Sequence, residues 1–100
     1  MRKIELSPKA TEDLEAIWCY GYVHYGVKQA DEYIDRLSAA FSMLATHQIG
    51  TFRPELGDRM HSLPVEKHVV FFISSRLAIT VVRILSQSVD VIRHLPTFIA

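Results

Sequence analysis

Five histidines, one cysteine and a scatter of arginines are the side chains in this 100-residue chain that could carry chemistry. A metal centre needs ligands at short, regular spacing. His24, His47, His61, His68 and His94 include no pair three or four residues apart, and Cys19 has no second cysteine beside it, so no metal or cofactor is expected. No G-x-S-x-G elbow lifts a nucleophile from a strand, and no glycine-rich run is placed to cradle phosphate. The densest signal lies late in the chain, in Leu77–Leu95, LAITVVRILSQSVDVIRHL. Ile79, Thr80, Val81, Val82, Ile84 and Leu85 are β-branched or apolar and form the most strand-like run in the protein. Arg83 interrupts it. A guanidinium in that setting must snorkel to the rim of the sheet or meet a carboxylate, because an isolated buried charge costs several kcal/mol, roughly. Asp90, Arg93 and His94 follow on polar ground.

Hydrophobic periodicity supplies the elements that position these groups. Arg2–Leu6 alternates Ile4 and Leu6 with charged neighbours, which predicts a short edge strand. Ser7-Pro8 is a helix start, with a hydroxyl to cap a free amide and a proline suited to the first helical position. Ala10, Leu14, Ile17, Trp18, Gly21 and Tyr25 then recur at steps of three and four up to Gly26, where a left-handed residue would close the helix. A second helix is expected over about Lys28–Thr46, with Ala30, Tyr33, Ile34, Leu37, Phe41, Leu44 and Ala45 on one face and Arg36 four residues after Glu32 as a solvated pair. The short link makes the helices an antiparallel hairpin. His47–Gly57 reads as a loop, Asp58–Leu63 as a strand, Pro64–Lys67 as a turn, and His68–Ser74 and Leu77–Leu85 as two further strands. Three strands so closely connected form an antiparallel meander.

The fold class is therefore α+β in two layers: an N-terminal edge strand, a two-helix hairpin, a three-stranded meander and a short C-terminal helical tail, all in one domain over 1–100. Both faces of the last two strands are apolar, yet one helical layer covers only one of them. An exposed apolar sheet face is expected. Trp18, Tyr20, Tyr22 and Tyr25 read as core rather than as a base-stacking platform, since only Lys9 and Lys28 stand nearby to hold a phosphate backbone.

Eleven basic and eleven acidic residues cancel, so no global field steers the chain to nucleic acid or to anionic membrane. Residues 1–50 carry five Lys/Arg against seven Asp/Glu, and 51–100 carry six against four. Any anion-facing surface thus belongs to the second half. The lone cysteine suits a reducing compartment, and the apolar runs are too short to span a bilayer, which together point to the cytoplasm.

The ending R-I-L, a polar gap, V-D, then R-H-L is similar to the strand and tail that close ParE toxins of the RelE/ParE superfamily. S-P-K-A with A-x-x-D-L at Ala10, Asp13 and Leu14, Gly26 with Ala30, Leu37, and the P-E-L turn at Pro54, Glu55 and Leu56 extend the resemblance along nearly the whole chain. Ser86 stands where that family commonly has His, and Val89 where it commonly has Met. The resemblance implies the toxin of a bacterial type II toxin-antitoxin pair that binds DNA gyrase and blocks replication without catalysing a reaction. A cognate antitoxin would neutralise it in a hetero-oligomer. Arg83, Asp90, Arg93 and His94 are the expected target-directed residues, and Leu6, Phe71, Ile73, Val81 and Ile84 the expected antitoxin contacts. RelE-like relatives imply a rival, cleavage of messenger RNA on the ribosome, for which Arg59, His61, His68, Arg76, Arg83, Arg93 and His94 are the available groups. An inactive toxin-fold binding domain is the third reading.

Overall fold

The computed structural model describes residues 1–87. Lys3–Leu6 forms β1, and Pro8–Tyr25 and Val27–Thr46 form helices α1 and α2. Thr51–Phe52 is a two-residue strand, β2, and Pro54–Leu56 a 3-10 turn. Met60–Val65, His68–Ser74 and Ala78–Ser86 are β3, β4 and β5. The sheet order is β1-β5-β4-β3-β2, with β1 parallel to β5 and every other pair antiparallel. The edge strand, the hairpin and the meander stand as the sequence predicts.

Ser7 joins sheet to helix. Its hydroxyl oxygen accepts the Ala10 N–H at 3.0 Å, capping α1, and its proton goes to the Val82 carbonyl at 2.7 Å. One residue, Gly26 at φ 94, separates the helices. Their close approach depends on Gly21: a Cβ there would lie 3.3 Å from both the Cα and the Cβ of Ala30. At the far end α2 has no basic residue in its last turn, and Arg2 serves instead. Its guanidinium donates to the Leu44 and His47 carbonyls at 2.7 and 3.0 Å and to Ser74 Oγ at 2.7 Å, placing a cation at the negative end of the helix. Arg2→Ala should lower stability by about 1–2 kcal/mol, read as a shift in urea midpoint with an unchanged slope.

Two apolar clusters lie on the two faces of the sheet. Ala10, Leu37, Phe41 and Leu44 pack with Val70, Phe72, Ile79, Val81 and Ile84 under the helices. Leu56, Met60, Phe71, Val82 and Leu85 form a second buried cluster, with Val69 and Ile73 against it. The expected exposed apolar face is therefore not found at these positions. Part of the reason is the P-E-L turn, more than a connection, which inserts Leu56 into the second cluster.

A bulge sets which residues of β5 face which side. Phe72 pairs with Val81 and Phe71 with Arg83, leaving Val82 as the extra residue. Ile79 and Val81 alternate toward the helices, the bulge shifts the phase by one, and Ile84 rather than Arg83 returns to the helix-facing core. Without the bulge the arginine would point into that core.

Several boundaries differ from expectation, and Thr51–Phe52, inside the expected 47–57 loop, pairs as β2. Asp58 and Arg59 belong to a turn, with Arg59 at φ 60, so β3 begins at Met60. Pro64 lies within β3, and β2 pairs only with His61 and Ser62, so a residue without an N–H costs no ladder bond on the outer edge. The expected 64–67 turn contracts to Glu66 and Lys67, with Glu66 at φ 56 and Val65 paired with His68.

Candidate functional site

Arg83 meets a carboxylate, as its surroundings require, and the carboxylate is Asp13 of α1. The guanidinium Nε donates to Asp13 Oδ2 at 2.7 Å and Nη2 to Oδ1 at 2.9 Å, a fork-to-fork pair. The Ile84 N–H also donates to Asp13 Oδ2, at 2.9 Å. The side chains are 14% and 13% exposed, so water screens them little. Hydrogen bonding to Asp13 raises the Arg83 pKa above its already high ordinary value, against the opposing effect of burial. The location explains the arrangement. β1 stops at Leu6, Ser7 donates its N–H to the Val81 carbonyl, and beyond that point Asp13 supplies the acceptor that a longer β1 would have given to β5.

A groove of about 860 Å³ opens between the helical hairpin and the β3–β4 turn. Ile17, Tyr20 and Tyr25 line its apolar wall, and Arg36, Lys67 and His68 its polar one. Tyr33 bridges the walls. Its hydroxyl accepts the Lys67 N–H at 3.0 Å and lies 2.6 Å from His68 Nδ1. Burial pushes the Tyr33 phenol up and the His68 imidazole down, the latter partly offset by Asp13. With its oxygen accepting from Lys67, the Tyr33 hydroxyl has a proton to give, and His68 Nδ1 is placed to accept it. Arg36 lies 3.8 Å from Glu66 across the groove instead of pairing with Glu32 along its helix, an exposed contact of little energetic weight.

The depressed His68 pKa has a pH consequence with a definite sign. As pH falls below about 6.5, the unfolded chain takes up the His68 proton before the folded chain does, so stability falls with acidification in that window. His68→Asn should flatten this component: the gap between melting temperatures at pH 7.5 and pH 5.5 shrinks relative to wild type. An unchanged gap would remove His68 as its source.

The aromatic residues of α1 are not core. Tyr20, Tyr22 and Tyr25 are each at least half exposed, and Val23 and Val27 extend the apolar patch around the tip of the hairpin. Trp18 is half-buried, stacks on Tyr22 at 5.3 Å and donates its indole N–H to Asp31 at 2.8 Å, while Tyr20 stacks on His24 at 3.9 Å. Helical spacing shows that residues share a face. It does not show that anything in the same chain covers that face.

The expected antitoxin contacts are scattered. Val81 and Ile84 lie under the helices and Phe71 in the opposite cluster, all 2% exposed or less, and Ile73 is half-buried beside Phe71. Leu6, at 39%, is the exposed member. The burial follows from the bulge and the second cluster, neither of which could be placed from periodicity. Of the target-directed set, Arg83 is held by Asp13, and Asp90, Arg93 and His94 lie outside the described residues, as does the expected helical tail. The ribonuclease candidates that are described do not converge. His61 stacks on Phe72 at 5.4 Å and donates from Nδ1 to the Arg59 carbonyl at 2.8 Å. His61 is opposite Phe72, four residues along β4 from His68, a separation of about 13 Å. Arg76 is exposed beyond the end of β4. Among the described residues no helix is long and apolar enough to cross a membrane.

A two-helix hairpin on a five-stranded sheet, with α1 tied to β5 by an arginine-carboxylate fork, defines a small two-layer α+β protein of the RelE/ParE kind. Residues 4–91 match the family model for the ParE toxin of the type II toxin-antitoxin system parDE. The chain is 36% identical over 92 residues to Toxin ParE1 of Mycobacterium tuberculosis, covering 90% of this chain and 94% of the relative. It is 33% identical over 97 residues to Toxin ParE1 of Caulobacter vibrioides, covering 95% and 99%. The chain belongs to the ParE family of type II toxins, proteins that form one half of a toxin-antitoxin pair. Among solved structures, a chain of the chromosomal ParDE system from P. aeruginosa superposes with a TM-score of 0.75 at 20% identity, covering 86% of this chain and 96% of that one. A YafQ variant from E. coli gives 0.59 at 14% identity over 88% and 96%, which shows a shared fold alone.

Sequence reasoning placed Asp13 in the A-x-x-D-L match but did not pair it with Arg83, although it stands one helical turn after the buried Ala10 and so on the sheet-facing side of α1. The Tyr33–His68 bridge carried no sequence signal, because its partners are 35 positions apart.

Proposed function

We propose that this toxin arrests growth by binding DNA gyrase and blocking replication without catalysing a reaction, with Asp90, Arg93 and His94 directed to the target and Arg83, held by Asp13, serving the fold. The match of residues 4–91 to the ParE toxin family model carries the reading. His61, His68 and Arg83 each have a structural partner, and no two of them flank a space in which a 2′-hydroxyl and its phosphate would meet a base and an acid. Purified toxin is expected to inhibit gyrase supercoiling and to leave messenger RNA intact in a translating extract. Cleaved messenger with normal supercoiling would replace this reading with the ribonuclease one.

The antitoxin is assigned to the hairpin tip and its groove, with Leu6 at most peripheral. Both central sheet faces are buried, whereas Tyr20, Tyr22, Val23, Tyr25 and Val27 are exposed around the tip of the hairpin, and Tyr20 and Tyr25 also line the groove. Tyr25→Ala should weaken antitoxin binding by about 2 kcal/mol, roughly thirtyfold in Kd, with no change in melting temperature. Unaltered affinity, measured by titration calorimetry, would move the antitoxin elsewhere.

A further inference from the structure

We propose, on the reading that the groove takes the antitoxin, that antitoxin binding and protonation of His68 oppose one another, so that the toxin is held less tightly as the pH falls. The bridge between Tyr33 and His68 sets the conflict. The Tyr33 hydroxyl oxygen accepts the Lys67 N–H at 3.0 Å and lies 2.6 Å from His68 Nδ1, and the hydroxyl has no third partner among the described residues. A proton on Nδ1 makes His68 a second donor to that oxygen. The hydroxyl must then turn its own proton away, and in an open groove solvent takes it. Under a bound segment that excludes water the same proton is a buried donor without an acceptor, which is costly. Desolvation acts in the same direction. His68 is already half-buried in the free toxin, and covering the groove takes further water from an imidazolium.

The charges around His68 do not offset this. Asp13 of α1 favours the imidazolium, but it is bound in its fork with Arg83 of β5. Glu32 and Arg36 of α2 and Glu66 and Lys67 of the turn line the same groove, two of each sign. Across the sheet His68 is opposite Val65 on β3 and Ser86 on β5, neither of them charged, and α1 adds the phenols of Tyr20 and Tyr25. The neutral imidazole is thus the form that fits beneath a cover. Linkage is reciprocal: what binding does to the protonated form, protonation does to binding, by the same factor. Burial already holds the free His68 below its ordinary 6.5, so the loss of affinity belongs to the acid side of that value and is absent at pH 7.5.

The test follows the histidine ring signals of the full-length toxin by NMR between about pH 5 and pH 8, alone and with its full cognate antitoxin, with His68 assigned through the backbone. The His68 midpoint should fall by about one pH unit or more on binding, equivalent to about a tenfold loss of affinity once the free toxin is fully protonated. Titration calorimetry in buffers of different ionisation heat gives a second reading. Complex formation near the free His68 midpoint should release protons, and His68→Asn, whose Oδ1 still accepts the Tyr33 proton, should release fewer while binding within about threefold of wild type at pH 7.5. A midpoint that stays in place overturns the proposal, as does one that rises, which would place an antitoxin carboxylate against His68. Tyr25→Ala separates this failure from failure of the groove reading. Unaltered affinity in Tyr25→Ala removes the antitoxin from the groove and the proposal with it. Weakened affinity in Tyr25→Ala beside an unmoved His68 midpoint keeps the antitoxin in the groove and removes the linkage alone.

Discussion

Arg83→Ala is expected to destabilise the protein by about 3 kcal/mol, because it strands the Asp13 carboxylate in a largely buried site. A loss of that size lowers the melting temperature of a domain this small by about 15 °C. The cost comes from leaving one charge without its counter-charge more than from the net worth of the pair. A double replacement, Asp13→Leu with Arg83→Met, should therefore recover most of the loss. Recovery would stop about 1 kcal/mol short of wild type, since the Ile84 N–H would still lack the acceptor it now has. Urea denaturation of the two single variants and the double closes the cycle. Equal and additive losses would show that the fork contributes no coupling.

Gly50→Ala should cost about as much, again about 3 kcal/mol, for a different reason. Gly50 sits at φ 102, where an L side chain is strained, and a Cβ there would come within 2.8 Å of Phe72 Cζ and 3.1 Å of the Ser62 carbonyl. Phe72 is fully buried and stacked on His61, so it has no room to retreat. Gly26 provides the comparison. Its φ of 94 is as unusual, but a Cβ would meet nothing within 4 Å, so Gly26→Ala should show only the backbone part, about 1 kcal/mol. Similar losses at the two glycines would mean that the Phe72 ring yields.

Much of the fold was legible because its determinants are local. The Ser7 cap, the α2 stripe from Ala30 to Ala45 and the Gly26 break are each set within one or two helical turns. The requirement that Arg83 find a carboxylate was legible for the same reason, as a property of its neighbours. The identity of that carboxylate was not, since 70 positions separate the two residues and only the packing of α1 across β5 brings them together. Strand facing was not legible, because alternation counted through the extra residue Val82 would assign the wrong side to everything beyond it. Tyr20, Tyr22 and Tyr25 read as core and yet are exposed, because an apolar pattern is no proof of a cover within the same chain. In a protein made to bind a partner, an apolar face can be complete in pattern and still be open.

The single-residue link at Gly26 makes the hairpin a stiff lever. No loop exists between α1 and α2 to take up slack, and the Gly21–Ala30 approach keeps either helix from sliding past the other. A molecule gripping the tip at Tyr25 pulls on a rod whose anchor at Asp13 lies about 18 Å away along the helix. Torque applied at the tip is therefore delivered to the root of β5, and an antitoxin seated there would have mechanical purchase on the toxin's opposite end without touching it.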